Sequence, residues 1–166
     1  NATKTNSKSR IKKLDKIFID YYDKNTLKGL KKSWKTLDNI PPHIKRILSE
    51  TIEAYKRRQY VLTVSALVTL WQGIIQEKTI GKQEGKSDDK TCEEFNTLIT
   101  ANDCSNFVKY YFDEYIFYTC YGIEQVKDDV PGRHMTCHSW YKKYPTRKTA
   151  LNAILFTEFL LGLSPV

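Results

Sequence analysis

The feature that most constrains this chain is the run YVLTVSALVTLWQGIIQE, Tyr60 to Glu77, in which no charged side chain occurs before Glu77. Its β-branched residues would suit a strand, but eighteen residues far exceed the usual strand of about five or six. Apolar side chains fall on every side of a helix drawn through it. The run is therefore expected to be a buried helix that other helices must surround. A second segment of this kind, from about Thr146 to Leu163, closes the chain, with Pro145-Thr146 as its start signal. Two central helices in 166 residues point to one all-α domain, a helical bundle of four to five main helices.

The remaining segments fit around that pair. The polar start NATKTNSK, residues 1–8, has the composition of a disordered or linker-like lead. From Ile11 the apolar positions Ile11, Leu14, Ile17, Phe18, Tyr21 and Tyr22 recur at helical spacing, with lysines on the other face. A short helix is expected over Leu27 to Leu37, and Pro41-Pro42 mark a turn. Another helix restarts over His43 to Gln59, where His43 has a structural place at the helix start. These assignments make residues 9–166 one domain, with basic N-terminal helices over 11–40 and a core bundle over 43–165. The charged, glycine-bearing segment Gly81 to Thr91 is read as a loop, and the segment from Cys92 as a short helix or turn. A long aromatic helix capped by Asp103 or Ser105 follows, broken only at KDDVPG.

Charge is distributed unevenly. Residues 1–58 hold 16 Lys/Arg and 6 Asp/Glu, a balance of +10, whereas residues 59–166 hold 11 and 13, a balance of −2. A basic half concentrates polyanions such as RNA, and equally serves as a solvated helix face. No run is long and apolar enough to span a bilayer, so no membrane partner is expected. The four cysteines, Cys92, Cys104, Cys120 and Cys137, show neither a CxxC pair nor a dense disulfide spacing. Sparse cysteine usage favours reduced thiols and a cytoplasmic location. Because the sequence opens on Asn1, it is read as a fragment or processed chain with room for further domains.

Phosphate-loop, HExxH, DxDxDG and GxSxG patterns are all absent, and no metal or other cofactor is expected. Chemistry concentrates instead in VPGRHMTCHSWYKKYPT, which holds two of the three histidines. Arg133 offers a permanently charged planar fork for phosphate oxygens, and an imidazole such as His138 serves as acid or base near neutral pH. His134 and Cys137 beside His138 raise the question of zinc, but no fourth ligand is evident in the sequence.

The segment Val130 to Leu163 resembles the C-terminal half of HEPN domains, whose ribonuclease members carry Arg, a polar residue, three to five further residues and His. Here these are Arg133, His134, Met135-Thr136-Cys137 and His138, followed by PTRKTALNAILFTEFL, similar to the family's last helix. The resemblance covers roughly residues 45 to 165. Ser139 stands where a glycine often follows the family's histidine, and Trp71-Gln72 where the central helix often carries an acid. The resemblance implies a metal-independent endoribonuclease leaving a 2′,3′-cyclic phosphate and a 5′-hydroxyl. Arg133 and His138 would be catalytic, His134 supporting, and Lys142 and Lys143 would hold flanking RNA phosphates. It further implies a homodimer with a composite active site, acting in a toxin–antitoxin, phage-defence or other RNA-targeting role, with an antitoxin as a partner. Two alternatives stand beside it: a non-catalytic HEPN module that binds RNA or nucleotide or dimerises, and a secreted four-helix signalling protein with two disulfides.

Overall fold

A computed structural model describes residues 2–25, 27–37, 40–81, 87–143 and 145–166. Among the described residues there are eight α-helices and no strand. They are α1 (Ala2–Asn25), α2 (Leu27–Thr36), α3 (Pro42–Lys56), α4 (Tyr60–Ile80), α5 (Asp88–Ala101), α6 (Asn106–Tyr111), α7 (Arg133–Cys137) and α8 (Arg147–Gly162). The all-α class follows from the sequence pattern, and the number of helices exceeds the four to five expected.

The chain divides into two compact units, Asn1–Glu53 and Ala54–Val166. In the first, α1 is helical from Ala2, so the polar lead expected to be disordered extends the first helix instead. That lead contains neither Gly nor Pro, and a helix already nucleated by Ile11–Tyr22 propagates into such residues at little cost. Leu27, Leu30 and Trp34 of α2 and Ile44, Leu48 and Ile52 of α3 are buried. An ion pair joins Lys31 of α2 to Glu53 of α3.

In the second unit α4 is the central element and α8 packs along it. Val64, Leu67, Val68, Trp71 and Ile75 of α4 and Ala150, Leu151, Ile154 and Leu160 of α8 are almost fully buried. Burying an indole requires a partner for its N–H. Trp71 Nε1 donates to Thr157 Oγ1 at 2.8 Å, and Thr157 Oγ1 donates to the Ala153 carbonyl at 2.8 Å. The far end is tied by Lys78, whose ammonium donates to the carbonyls of Leu161 and Leu163; burial lowers its pKa. Thr146 caps α8 in a reciprocal capping box with Thr149.

Two expected boundaries move. The segment read as a loop to Thr91 is helical from Asp88, because Ser87 caps α5 by accepting from Lys90 N; residues 82–86 lie outside the described part. The long aromatic helix ends much earlier than KDDVPG. After α6 the chain widens into a π-turn, Phe112–Ile116, closed by Phe117 N donating to the Phe112 carbonyl, and then leaves helical geometry. Phe95 of α5 stacks on Phe112 with centroids 3.7 Å apart, and Phe112 stacks on Phe117 at 4.5 Å. Aromatic packing against α5 therefore overrides continued helix propensity, and frees the irregular stretch 117–132 to wrap around α7.

Candidate functional site

Five residues make α7 too short to be stable alone, so its surroundings hold it. Gly132 caps its start. A Cβ there would come within 2.7 Å of the Tyr118 ring, so the close approach of Tyr118 requires glycine. The Tyr118 hydroxyl donates to Met135 Sδ at 3.2 Å and accepts from Lys127 N at 3.0 Å, and burial pushes its pKa up to about 12. Beneath the helix, Cys120, Val126 and Met135 form a small core with Tyr118, Trp140 and Tyr141 packed on it.

The end of α7 is a Schellman motif. Trp140 N donates to the Met135 carbonyl at 2.8 Å and Ser139 N to the Thr136 carbonyl at 3.1 Å. Ser139 takes the left-handed position of that motif, with φ +56°, a conformation that glycine adopts without strain. The chain turns back there. The turn brings Trp140 onto His138, with rings stacked at 5.0 Å, and edge-on to His134 at 5.6 Å.

Two of the candidate residues, His134 and His138, are brought together. The rings of His134 and His138 meet edge to face at 4.6 Å. Nδ1 of His134 accepts from Cys120 N at 3.2 Å, so in its neutral form this imidazole carries its proton on Nε2. His138, the C-terminal cap of α7, is exposed to solvent. Half-buried Arg133 reaches across to α4, where its Nη2 donates to Gln72 Oε1 at 3.0 Å. Its guanidinium also lies over the Phe117 ring, 5.3 Å from the centroid. Gln72 Nε2 donates in turn to Thr91 Oγ1 of α5 at 3.0 Å. A neutral amide of α4 thus orients the arginine.

Lys142 and Lys143 belong to a different arrangement. Lys142 donates to the carbonyl of Glu124, and Lys143 pairs with the Asp128 carboxylate, whose hydrogen bond and charge raise its pKa. Both are exposed, but Asp128 offsets the charge of Lys143. Gln72, Phe117, the Cys120 backbone and Trp140 complete the site, and of these the sequence marked only Gln72. Gln72 carried a legible signal, as a polar residue midway along an apolar helix. Phe117 and Cys120 carried none, because their place depends on the π-turn.

No protein-family model, curated protein or solved structure compared with this chain matches it.

None of the four cysteines is in a disulfide. Among the described residues no group of three His, Cys, Asp or Glu side chains is placed to hold a metal ion, and no helix is long and apolar enough to cross a membrane. The arrangement comprises a fixed cation, an imidazole of set orientation and a solvent-facing imidazole. It is suited to binding a phosphodiester and moving protons at its ester oxygens.

Proposed function

We propose that this chain is a HEPN-type endoribonuclease that works through Arg133 and His138 without requiring a metal. The observation that supports the reading is that one short helix, α7, carries an arginine steadied by Gln72 and Phe117 and, at its C-terminal cap, the exposed, Trp140-stacked His138. In the reaction, the ribose 2′-hydroxyl gives its proton to a neutral His138 and attacks the adjacent phosphorus. The bond to the 5′-oxygen breaks, and a protonated histidine delivers a proton to that oxygen. Products are a 2′,3′-cyclic phosphate and a 5′-hydroxyl, with no change in oxidation state. Arg133 neutralises charge that develops on the non-bridging oxygens. One His138 cannot be base and acid in the same step; this reading gives the acid's part to His138 of a second copy, in a homodimer with a composite cleft. His134 supports the site by fixing the position of the neighbouring ring. Growth arrest, phage defence or another RNA-targeting role is the setting that such an activity fits, with an antitoxin as a natural regulator.

The test is cleavage of labelled single-stranded RNA by the purified protein in EDTA, with product ends identified by mass. Cyclic-phosphate ends that vanish in Arg133→Ala and His138→Ala, with helical content retained, are expected. No cleavage across pH and substrates, or full activity in both variants, would overturn the assignment. Salt-dependent RNA binding without turnover would instead leave a non-catalytic HEPN module.

A further inference from the structure

Within the second unit, a chain of three side-chain hydrogen bonds runs from α7 through α4 to the start of α5, and its direction is fixed at both ends. Arg133 can only donate, and its Nη2 gives a proton to Gln72 Oε1 at 3.0 Å. The Ser87 carbonyl can only accept, and it takes the Thr91 hydroxyl proton at 3.2 Å. A hydroxyl has one proton, so Thr91 turns a lone pair toward Gln72, and the amide Nε2 donates to it at 3.0 Å. Both ends of the amide are thereby satisfied in one orientation. Turned over, it would set its NH2 group against the guanidinium, two donors with no acceptor between them.

A helical threonine that bonds back to the fourth carbonyl before it is an ordinary feature. Here the same hydroxyl accepts a second bond, and through that bond α5 bears on Arg133. Thr91 is wholly buried, and a valine there would fill similar space with no atom able to accept from Gln72. We infer that Thr91 is a positioning residue: by accepting from Gln72 Nε2 it keeps Oε1 of that amide turned to Arg133, and so holds the guanidinium in place on α7. Its effect on cleavage rests on the ribonuclease reading, whereas its effect on the Arg133 side chain does not.

Two measurements on the full chain test it together: cleavage of single-stranded RNA in EDTA, and rotation of the Arg133 guanidinium about its Nε–Cζ bond, followed by heteronuclear NMR. Thr91→Val should speed the rotation about three- to tenfold, the effect of losing one hydrogen bond, and lower cleavage by a similar factor. Thr91→Ala, which cannot crowd the packing, carries the same expectation, and Thr91→Ser, which keeps the hydroxyl, should stay within about twofold of the original. In Thr91→Val/Gln72→Glu the carboxylate accepts from Arg133 with either oxygen and has no donor left to satisfy, so both measurements should return to within about threefold of the original. Loss of packing alone would not be recovered in this way, and circular dichroism checks that each variant stays helical. Rotation unchanged in Thr91→Val and Thr91→Ala, or a double variant no better than Thr91→Val, overturns the inference. If the original protein cleaves no RNA while the rotation responds as described, the positioning role stands and the ribonuclease reading is what fails.

Discussion

Helices α4 and α7 pack against each other and are joined through Gln72 and Arg133, yet they are held in opposite ways. Helix α4 has 21 residues, a full ladder of its own hydrogen bonds and apolar contacts on several sides, so its conformation would survive the loss of any one neighbour. Helix α7 has five residues and owes its geometry to contacts from outside: Tyr118 on Gly132, Cys120 N on His134, Gln72 on Arg133, and a left-handed turn at Ser139. The contrast teaches where stability and activity separate. Loss of a buried apolar side chain of α4 should be felt as stability, and under the proposed function loss of the His138 ring or of the contact that steadies Arg133 chiefly as chemistry.

Trp71→Ala attacks the stable side and should have the largest effect. It empties a fully buried site and removes the donor to Thr157 Oγ1, which keeps its own bond to the Ala153 carbonyl, so urea unfolding should show a loss of about 3–5 kcal/mol. If the loss is under about 1 kcal/mol, α4 is not the anchor described here. His138→Ala attacks the other side. Removing an exposed ring should change unfolding by less than about 0.5 kcal/mol while RNA cleavage falls about 10²–10⁴-fold. A variant that unfolds easily but cleaves normally would reverse the contrast.

Gly132→Ala probes how α7 is held. The new methyl group collides with the Tyr118 ring, which two hydrogen bonds keep in place, and a cost of about 1–3 kcal/mol is expected by urea titration. Adding Tyr118→Ala should recover part of that cost, because the obstacle has gone. Gln72→Leu removes the acceptor for Arg133 without emptying α4. Cleavage should drop by about tenfold for a loss near 1 kcal/mol of stability, and Gln72→Glu, which keeps an acceptor, should retain activity. The smallest effect belongs to Ser139→Gly. Relief of the positive φ should raise stability by about 0.5–1 kcal/mol, read from the unfolding midpoint, with cleavage unchanged.

Legibility in the sequence followed the same division. The helices with strong patterns, α2, α3, α4 and α8, begin and end within a few residues of where periodicity and proline place them. Their burial is a property of composition that few neighbours can change. The aromatic segment after Ser105 misled, because Phe107 to Tyr118 reads as continuous helix while the stacking of Phe95, Phe112 and Phe117 favours a π-turn and an exit. Within the candidate site, residue types and spacing singled out Arg133, His134 and His138. Their mutual geometry was not legible, since His138 stacks on Trp140 only because Ser139 accepts a backbone conformation that its side chain disfavours.

By itself the sequence determined that this protein is helical and that Tyr60–Glu77 and Thr146–Leu163 would supply much of its buried core. These follow from local periodicity, apolar area and the chemistry of side chains, all of which can be read along the chain. Only the tertiary structure decided that Gln72 steadies Arg133, that a backbone N–H orients His134, and that Lys143 is paired to Asp128. The Arg133–Gln72 contact spans 61 positions, and the Cys120–His134 and Lys143–Asp128 contacts span 14 and 15. No propensity within a helix or turn encodes contacts at such range; they arise when distant segments compete to satisfy one another's polar groups in a packed interior.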